Sequence, residues 1–247
     1  MRRTIRVGVI VPSSNTALES ITHEIVSDVC TPNTQITVHF ARFRVTQIHM
    51  SAESNKQFSL APMLEAAGYL ADARVNIIGW SGTSAAWLGF ETDEKLCDRI
   101  TAMTGIPATT SMIAMRERIR VSCATDIGVL TPYVSDVNAA IIKTLASAGL
   151  DATASRSQCS QLSTNYDFAG ITEVELERMV ASLSRDGTKT VLIICTNLCA
   201  ARRAKTWEDT YGVYVFDSVA TVIRGMLSYL KVDMSPLHRK WGSVFEE

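Results

Sequence analysis

The 247-residue sequence predicts an α/β protein of two pseudo-symmetric lobes, each a parallel sheet flanked by helices, with the active site in the cleft between them. Three observations predict this. Short apolar, β-branched runs alternate with segments of helical periodicity along the whole chain, as expected of parallel strands joined by helical crossovers. Similar segments recur in the same order in the two halves. No Gly/Ser/Pro-rich linker interrupts the alternation.

The first half reads as strands over 5–11 (IRVGVIV, ended by Pro12), 34–43, 75–78 and 108–110, with helical periodicity over 16–29, 60–72 and 93–103. The second half reads as strands over 127–130, 152–155, 191–194 and 213–216, with helices over 134–148, 173–183 and 219–230. VGVIVPSSN, starting at Val7, matches IGVLTPYVS, starting at Ile127, an offset of 120. GTS at Gly82 matches CTN at Cys195, an offset of 113, and GIPATTS ending at Ser111 matches GVYVFDS ending at Ser218, an offset of 107. An offset that shrinks steadily is what small deletions in a duplicated unit produce. The expected division is a first lobe over 1–118, a second over 119–225, and a C-terminal segment, 226–247, packing back on the first.

Hydrophobic residues make up 47% of the chain and charged residues 20%, enough to build a core and contrary to disorder. A net charge of −1, with both signs intermixed, offers no footprint for nucleic acid or an anionic membrane. No apolar run approaches the roughly 18 residues of a membrane span. The opening MRRTIRVGVIV breaks at Pro12, too early for a secretory core, and reads as the first strand of a cytoplasmic protein. The six cysteines are scattered through a large apolar chain, so no disulfide framework is expected. Cys195 and Cys199 are four apart, but His23, His39, His49 and His238 all lie far along the chain, and no metal site is expected.

Cys195 is the most informative residue. It closes the run VLIIC and is followed by Thr196 and Asn197, which places a thiol at the carboxyl end of a buried strand, where open α/β sheets bind ligands. The other strand ends carry Ser13, Ser14 and Asn15; Ser81, Gly82, Thr83 and Ser84; and Tyr133 in a turn after Thr131-Pro132. These loops are poor in charge and rich in hydroxyl and amide groups. Each is expected to open a helix, whose N-terminus favours an anion. Such a pocket suits a small carboxylate, and better still a carboxylate becoming an enediolate. A thiol there serves as acid, base or nucleophile. Cys30, Cys97, Cys123, Cys159 and Cys199 read as packing residues. Trp80 and Trp87 bracket the GTS turn, either walling the pocket or packing between lobes. Arg42 and Arg44 read as a charged strand face, Arg202, Arg203 and Lys205 as a solvated helix face, and Trp241 and Phe245 as anchors of the C-terminal tail.

Taken in order, the strand-PSSN opening, the GTS turn, TPY and CTNL resemble the maleate isomerase and arylmalonate decarboxylase branch of the aspartate/glutamate racemase superfamily, over nearly the whole chain. The resemblance implies a cofactor-independent enzyme with two pseudo-symmetric lobes, acting on an acidic carbon of a small carboxylate or dicarboxylate, and a homodimer. Cys195 matches the second catalytic cysteine of the superfamily. Asn15, Tyr133 and Asn165 match positions that bind a carboxylate in maleate isomerases. Thr83, Ser84 and Tyr133 match the dioxyanion pocket of the decarboxylase, with Ser14 and Thr196 beside them.

Gly82 takes the place of the first catalytic cysteine, as in the arylmalonate decarboxylase pattern. Racemisation needs a base on one face of the carbon and an acid on the other, and cis–trans isomerisation needs a nucleophile that adds to the double bond. Decarboxylation to an enediolate needs one acid, and Cys195 suffices. The expected function is therefore decarboxylase-like with Cys195 as proton donor. The alternatives are a maleate isomerase or Asp/Glu-type racemase in which Ser81, Ser84 or another group replaces the first cysteine, and a non-catalytic carboxylate-binding protein. On this reading Gly82→Cys alone should create or raise racemase or isomerase activity.

Overall fold

The computed structural model describes residues 3–246. The first lobe runs β1 (Arg3–Pro12), α1 (Leu18–Ser27), β2 (Thr34–Phe43), α2 (Ala52–Lys56), α3 (Leu60–Asp72), β3 (Ile77–Trp80), α4 (Ala85–Leu88), α5 (Phe90–Thr104), β4 (Ala108–Thr110) and α6 (Ser111–Val121). The second runs β5 (Ile127–Tyr133), α7 (Ser135–Ser147), β6 (Ala152–Leu162), α8 (Glu173–Arg185), β7 (Thr190–Ile193), α9 (Ala204–Tyr211), β8 (Tyr214–Asp217) and α10 (Ser218–Tyr229), followed by the short α11 (His238–Trp241). Each lobe has one four-stranded sheet, ordered β2-β1-β3-β4 and β6-β5-β7-β8, with every pairing parallel. All eight predicted strands are present.

Strand register extends the internal repeat from the matched first strands to their neighbours. Val7 pairs with Ile77 in the first sheet and Ile127 with Thr190 in the second, so Ile77 and Thr190 are equivalent and Gly82 mirrors Cys195. Trp80 pairs with Thr110, and its counterpart Ile193 pairs with Asp217, which makes Thr110 the mirror of Asp217. The inner strands β3, β5 and β7 are buried on both faces, which is why they read as continuous apolar runs rather than alternating ones.

Local chemistry sets the helix ends. Thr172 caps α8 by accepting the Glu175 N–H, and Asp217 caps α10 by accepting those of Val219 and Ala220. Helices α5 and α9 both stop at left-handed glycines, Gly105 and Gly212, at mirror positions.

Several details differ from the sequence reading. β5 continues through Thr131 and Pro132, so Tyr133 ends the strand, paired with Leu162, rather than sitting in a turn. Pro132 is tolerated because pairing with β7 stops at Leu130. β6 runs to Leu162 across two register shifts. Helix α10 lies directly on the first sheet: a Cβ on Gly79 would come within 2.6 Å of the Met226 sulfur. A boundary at 225 thus falls inside a helix that covers the other lobe. The segment after it touches both lobes. Lys240 and Trp241 bind Asp28 after α1, Arg118 of α6 donates to the Ser243 carbonyl, and Ser243 is held by Glu208 of α9. Arg202, expected on a solvated face, instead pairs with Glu24 of α1 across the lobes. Of the cysteines read as packing residues, Cys30 and Cys123 are exposed, and among the described residues Cys195 alone is buried.

Asp93 of α5 is buried, and burial pushes its carboxyl up to about 7, against the hydrogen bond from Thr110 that favours the charged form. A folded-state pKa above the unfolded value makes this group stabilising below pH 4, and that contribution is lost as pH rises towards 7. Asp93→Asn removes the titration. Between pH 5 and pH 8 the variant's stability relative to wild type should rise by about 2 kcal/mol in denaturant melts. A pH-independent difference would show that Asp93 ionises normally.

Candidate active site

The carboxyl ends of the two sheets face each other, and their loops meet in a dry, polar seam. Asn15, Ser81, Thr83, Ser84, Tyr133, Asn165, Cys195, Thr196 and Asn197 are all buried. The seam is cross-linked residue by residue. Asn15 Nδ2 donates to Thr196 Oγ1 at 3.2 Å, and Thr196 Oγ1 donates to the Ser81 carbonyl at 3.2 Å. Asn165 Nδ2 donates to Ser14 Oγ at 2.8 Å, and Ser14 Oγ to the Val45 carbonyl at 2.6 Å. The Thr83 and Tyr133 hydroxyls are 2.9 Å apart. The structure thus links Ser14, Asn15, Asn165 and Thr196 by hydrogen bonds and places Thr83 beside Tyr133, with Gly82 between Ser81 and Thr83.

Each side chain is placed by its element. Asn15 caps α1, its Oδ1 accepting the Ala17 and Leu18 N–H groups while its Nδ2 reaches into the other lobe. Tyr133 is clamped edge-on between Trp87 and Phe168, with centroids 5.5 and 5.4 Å away. Arg42 was read as a charged strand face. It pairs with Glu19 and donates to the carbonyls of Ser13 and Asn15, bracing the first loop from behind. The loops over 44–49 and 163–165 close the seam by a short antiparallel bridge: Ile48 N–H donates to the Ser163 carbonyl at 2.8 Å and Asn165 N–H to that of Thr46 at 2.9 Å. Ser84 also lines a cavity of about 210 Å³ with Phe58, Met63, Leu88 and Asp93.

Cys195 is held by its surroundings in the protonated form. Burial pushes the thiol up to about 12, against the opposing hydrogen bonds of the Asn197 N–H and the Tyr133 hydroxyl. The Asn197 N–H lies 3.4 Å from Sγ. Burial likewise raises the Tyr133 hydroxyl well above its ordinary range. The thiol in the seam is thus a neutral acid whose conjugate base already has two donors waiting.

Three residues have contacts that the sequence reading does not assign: Asn197 and Asp217 are given no role of their own there, and Trp80 is read only as walling the pocket or packing between lobes. Asn197 Oδ1 accepts the N–H groups of Thr16 and Ala17 on the first lobe, while its Nδ2 donates to the Asn165 carbonyl. Its place in CTN was visible, but its partners Thr16 and Ala17 lie 181 and 180 positions away and Asn165 lies 32 away. Asp217, capping α10, has one buried oxygen without a hydrogen-bond partner and sits near enough to raise the Cys195 thiol further. The third is Trp80, whose indole covers Gly82: a Cβ there would lie 2.1 Å from Cζ2 of the ring. A cysteine at 82 would place its Cβ against this ring, which has to move before a second thiol is accommodated. The loop after Cys195 also does not open a helix directly, as was expected. A non-helical turn and one 3₁₀ turn, Ala201–Arg203, precede α9.

With this geometry in view, the comparisons with known proteins are decisive for the family. The sequence profile of the arylmalonate decarboxylase family matches residues 26–238. The chain belongs to that family. A maleate isomerase of Geobacillus stearothermophilus is 23% identical over 239 residues, covering 94% of each chain. A maleate cis–trans isomerase from Nocardia farcinica, a cysteine-to-serine mutant carrying a covalently bound succinylcysteine intermediate, superposes with a TM-score of 0.82 at 19% identity, over 93% of this chain and 94% of that one. A liganded arylmalonate decarboxylase with one glycine changed to cysteine and one cysteine to serine superposes with a TM-score of 0.74 at 15% identity, over 93% and 92%. The protein is an enzyme of the isomerase and decarboxylase type, with the two-sheet fold of both.

Thiol chemistry tests the site directly. At pH 7.5 iodoacetamide should alkylate the exposed Cys30 and Cys123 well before Cys195, as read by peptide mass spectrometry. Rapid labelling of Cys195 would mean that the thiol is ionised and open to solvent.

Proposed function

We propose that the enzyme decarboxylates a small malonate-type diacid through an enediolate intermediate, with Cys195 as the single proton donor and no cofactor. One observation carries this reading: the position that mirrors Cys195 is Gly82, beneath the Trp80 ring. A reaction that needs thiols on both faces of one carbon has no second actor here. Loss of carbon dioxide needs only one.

In this mechanism the bond between the α-carbon and one carboxylate breaks, and its electron pair stays on the carbon as the enediolate. Thr83, Ser84 and Tyr133 donate hydrogen bonds to the two oxygens of the retained carboxylate, and those bonds strengthen as charge accumulates. Asn15, Ser14, Asn165 and Thr196 orient the diacid by releasing the bonds that they make to one another in the closed seam. Cys195 transfers its proton to the α-carbon. The resulting thiolate is met by the Asn197 N–H, and by the Tyr133 hydroxyl once it turns from the product carboxylate, until solvent returns a proton. A thiol whose pKa is raised is suited to this step because it holds its proton until the strongly basic carbanion forms. The site is assembled from both lobes of one chain. A cytoplasmic homodimer without nucleic-acid or membrane partners is the setting carried over from the sequence. Among the described residues no helix is long and apolar enough to cross a membrane, and no cluster of three metal-ligating side chains is present.

A second reading, maleate cis–trans isomerisation, is favoured by the seam amides of Asn15 and Asn165, which suit two carboxylates. Proton NMR in D₂O separates the two. Given maleate and a panel of substituted malonates, the enzyme should release carbon dioxide and leave a single deuterium at the α-carbon. Fumarate without decarboxylation would overturn the first reading and establish the second. Cys195→Ala should abolish turnover while leaving carboxylate binding, followed by ligand-induced melting shifts, nearly unchanged. Retained turnover would remove Cys195 as the acid. Tyr133→Phe should lower kcat about 100-fold or more with little change in melting temperature, because the clamped ring remains. An unaltered kcat would exclude the hydroxyl from the oxyanion pocket.

A further inference from the structure

Trp80 ends β3 and is almost wholly buried, yet its Nε1–H finds no acceptor, and the neighbouring Ser81 hydroxyl is equally unpartnered. Buried donors without acceptors are rare in folded proteins and occur where a ligand or a water completes them. The ring is held from the side by Phe43, with centroids 5.1 Å apart and planes tilted by 52°. It extends over Gly82, so that Cζ2, Cε2 and Cη2 lie within 2.1 to 2.5 Å of where a Cβ would stand. By strand register the counterparts of Trp80 and Gly82 in the second lobe are Ile193 and Cys195. The two halves thus reach opposite solutions at equivalent places. One carries an aliphatic residue and then a thiol. The other carries an indole and then no side chain at all.

We infer that Trp80 is a specificity-determining residue: its indole closes the face of the reaction pocket opposite Cys195, so that the enediolate is protonated from the Cys195 face alone and a prochiral diacid gives one enantiomer. This inference rests on the decarboxylase reading for its chemistry and on the Trp80–Gly82 contact for its geometry. The glycine alone would leave an open face to which water, or a thiol introduced at 82, has access. The indole removes both. The substrate class that reveals this is a malonate whose α-carbon bears two different substituents, because only then does the face of protonation appear in the product.

The geometry is tested first, by a measurement that needs no substrate. Gly82→Ala should lower the melting temperature by about 5 °C or more, because its Cβ meets a buried ring that has nowhere to go. In a Trp80→Leu background, which keeps an apolar side chain in the core, the same substitution should cost much less. Equal costs in the two backgrounds would show that the indole does not hold the space. The stereochemical part is read by chiral chromatography of the product from a 2-aryl-2-methylmalonate. Wild type should give essentially one enantiomer, and Trp80→Leu a mixture. Trp80→Leu/Gly82→Cys should racemise the purified product and exchange its α-hydrogen in D₂O at least 10-fold faster than Gly82→Cys alone. Full optical purity in Trp80→Leu, or equal racemisation by the single and double variants, would overturn the inference. A wild type that decarboxylates no malonate would defeat the proposed function instead, while the melting comparison would still decide whether Trp80 occupies the face.

Discussion

Asn197 accepts two N–H groups at the start of α1 and donates to the Asn165 carbonyl, and it does so without any exposure to water. In such a place an unmade hydrogen bond cannot be exchanged for one with solvent, so each bond costs on the order of 1–3 kcal/mol to break. That constraint ties the end of β7 to the first lobe and makes the seam between the lobes a single hydrogen-bonded unit. The other cross-lobe bonds, from Asn15 to Thr196, from Thr196 to the Ser81 carbonyl and from Asn165 to Ser14, follow from the same closeness. The site exists because two sheets present their carboxyl ends to one another at this separation, and Asn197 is one of the side chains that span it.

The dryness of the seam also sets its chemistry. A cysteine in water, with a pKa of about 8.5, is partly thiolate at neutral pH, and that thiolate is a strong nucleophile. Burial disfavours the thiolate and leaves an acid that yields its proton only to a strong base. The hydrogen bonds waiting at Sγ lower the cost of the transferred state without ionising the resting one. On the opposite face the ring of Trp80 occupies the position in which a symmetric enzyme would hold a second group. A duplicated fold has thereby been made chemically one-sided at this position, where one half carries Trp80 and Gly82 and the other Ile193 and Cys195.

Much of this was legible in the chain. Strands buried on both faces announce themselves as runs such as VGVIV and VLII, and the repeat offsets of 120, 113 and 107 agree with the strand registers of the folded protein. Tyr133 was misplaced into a turn because Pro132 ordinarily ends a strand. The sequence does not say that pairing on one side stops two residues earlier. Arg42 and Arg202 looked like solvated charges because nothing local pairs with them, and their carboxylates, Glu19 and Glu24, lie on α1.

By itself the sequence determined the two-lobed architecture, the mirror relation of Gly82 and Cys195, and the polar residues at the strand ends, since each depends on the order and local periodicity of side chains. It also determined that one thiol is present where symmetry allows two. Only the tertiary structure decided that this thiol is protonated, that Asn197 joins the lobes, and that Trp80 fills the space over Gly82. These depend on desolvation and on contacts between atoms far apart in the chain or folded back along a strand, where distance and direction, rather than residue type, carry the energy.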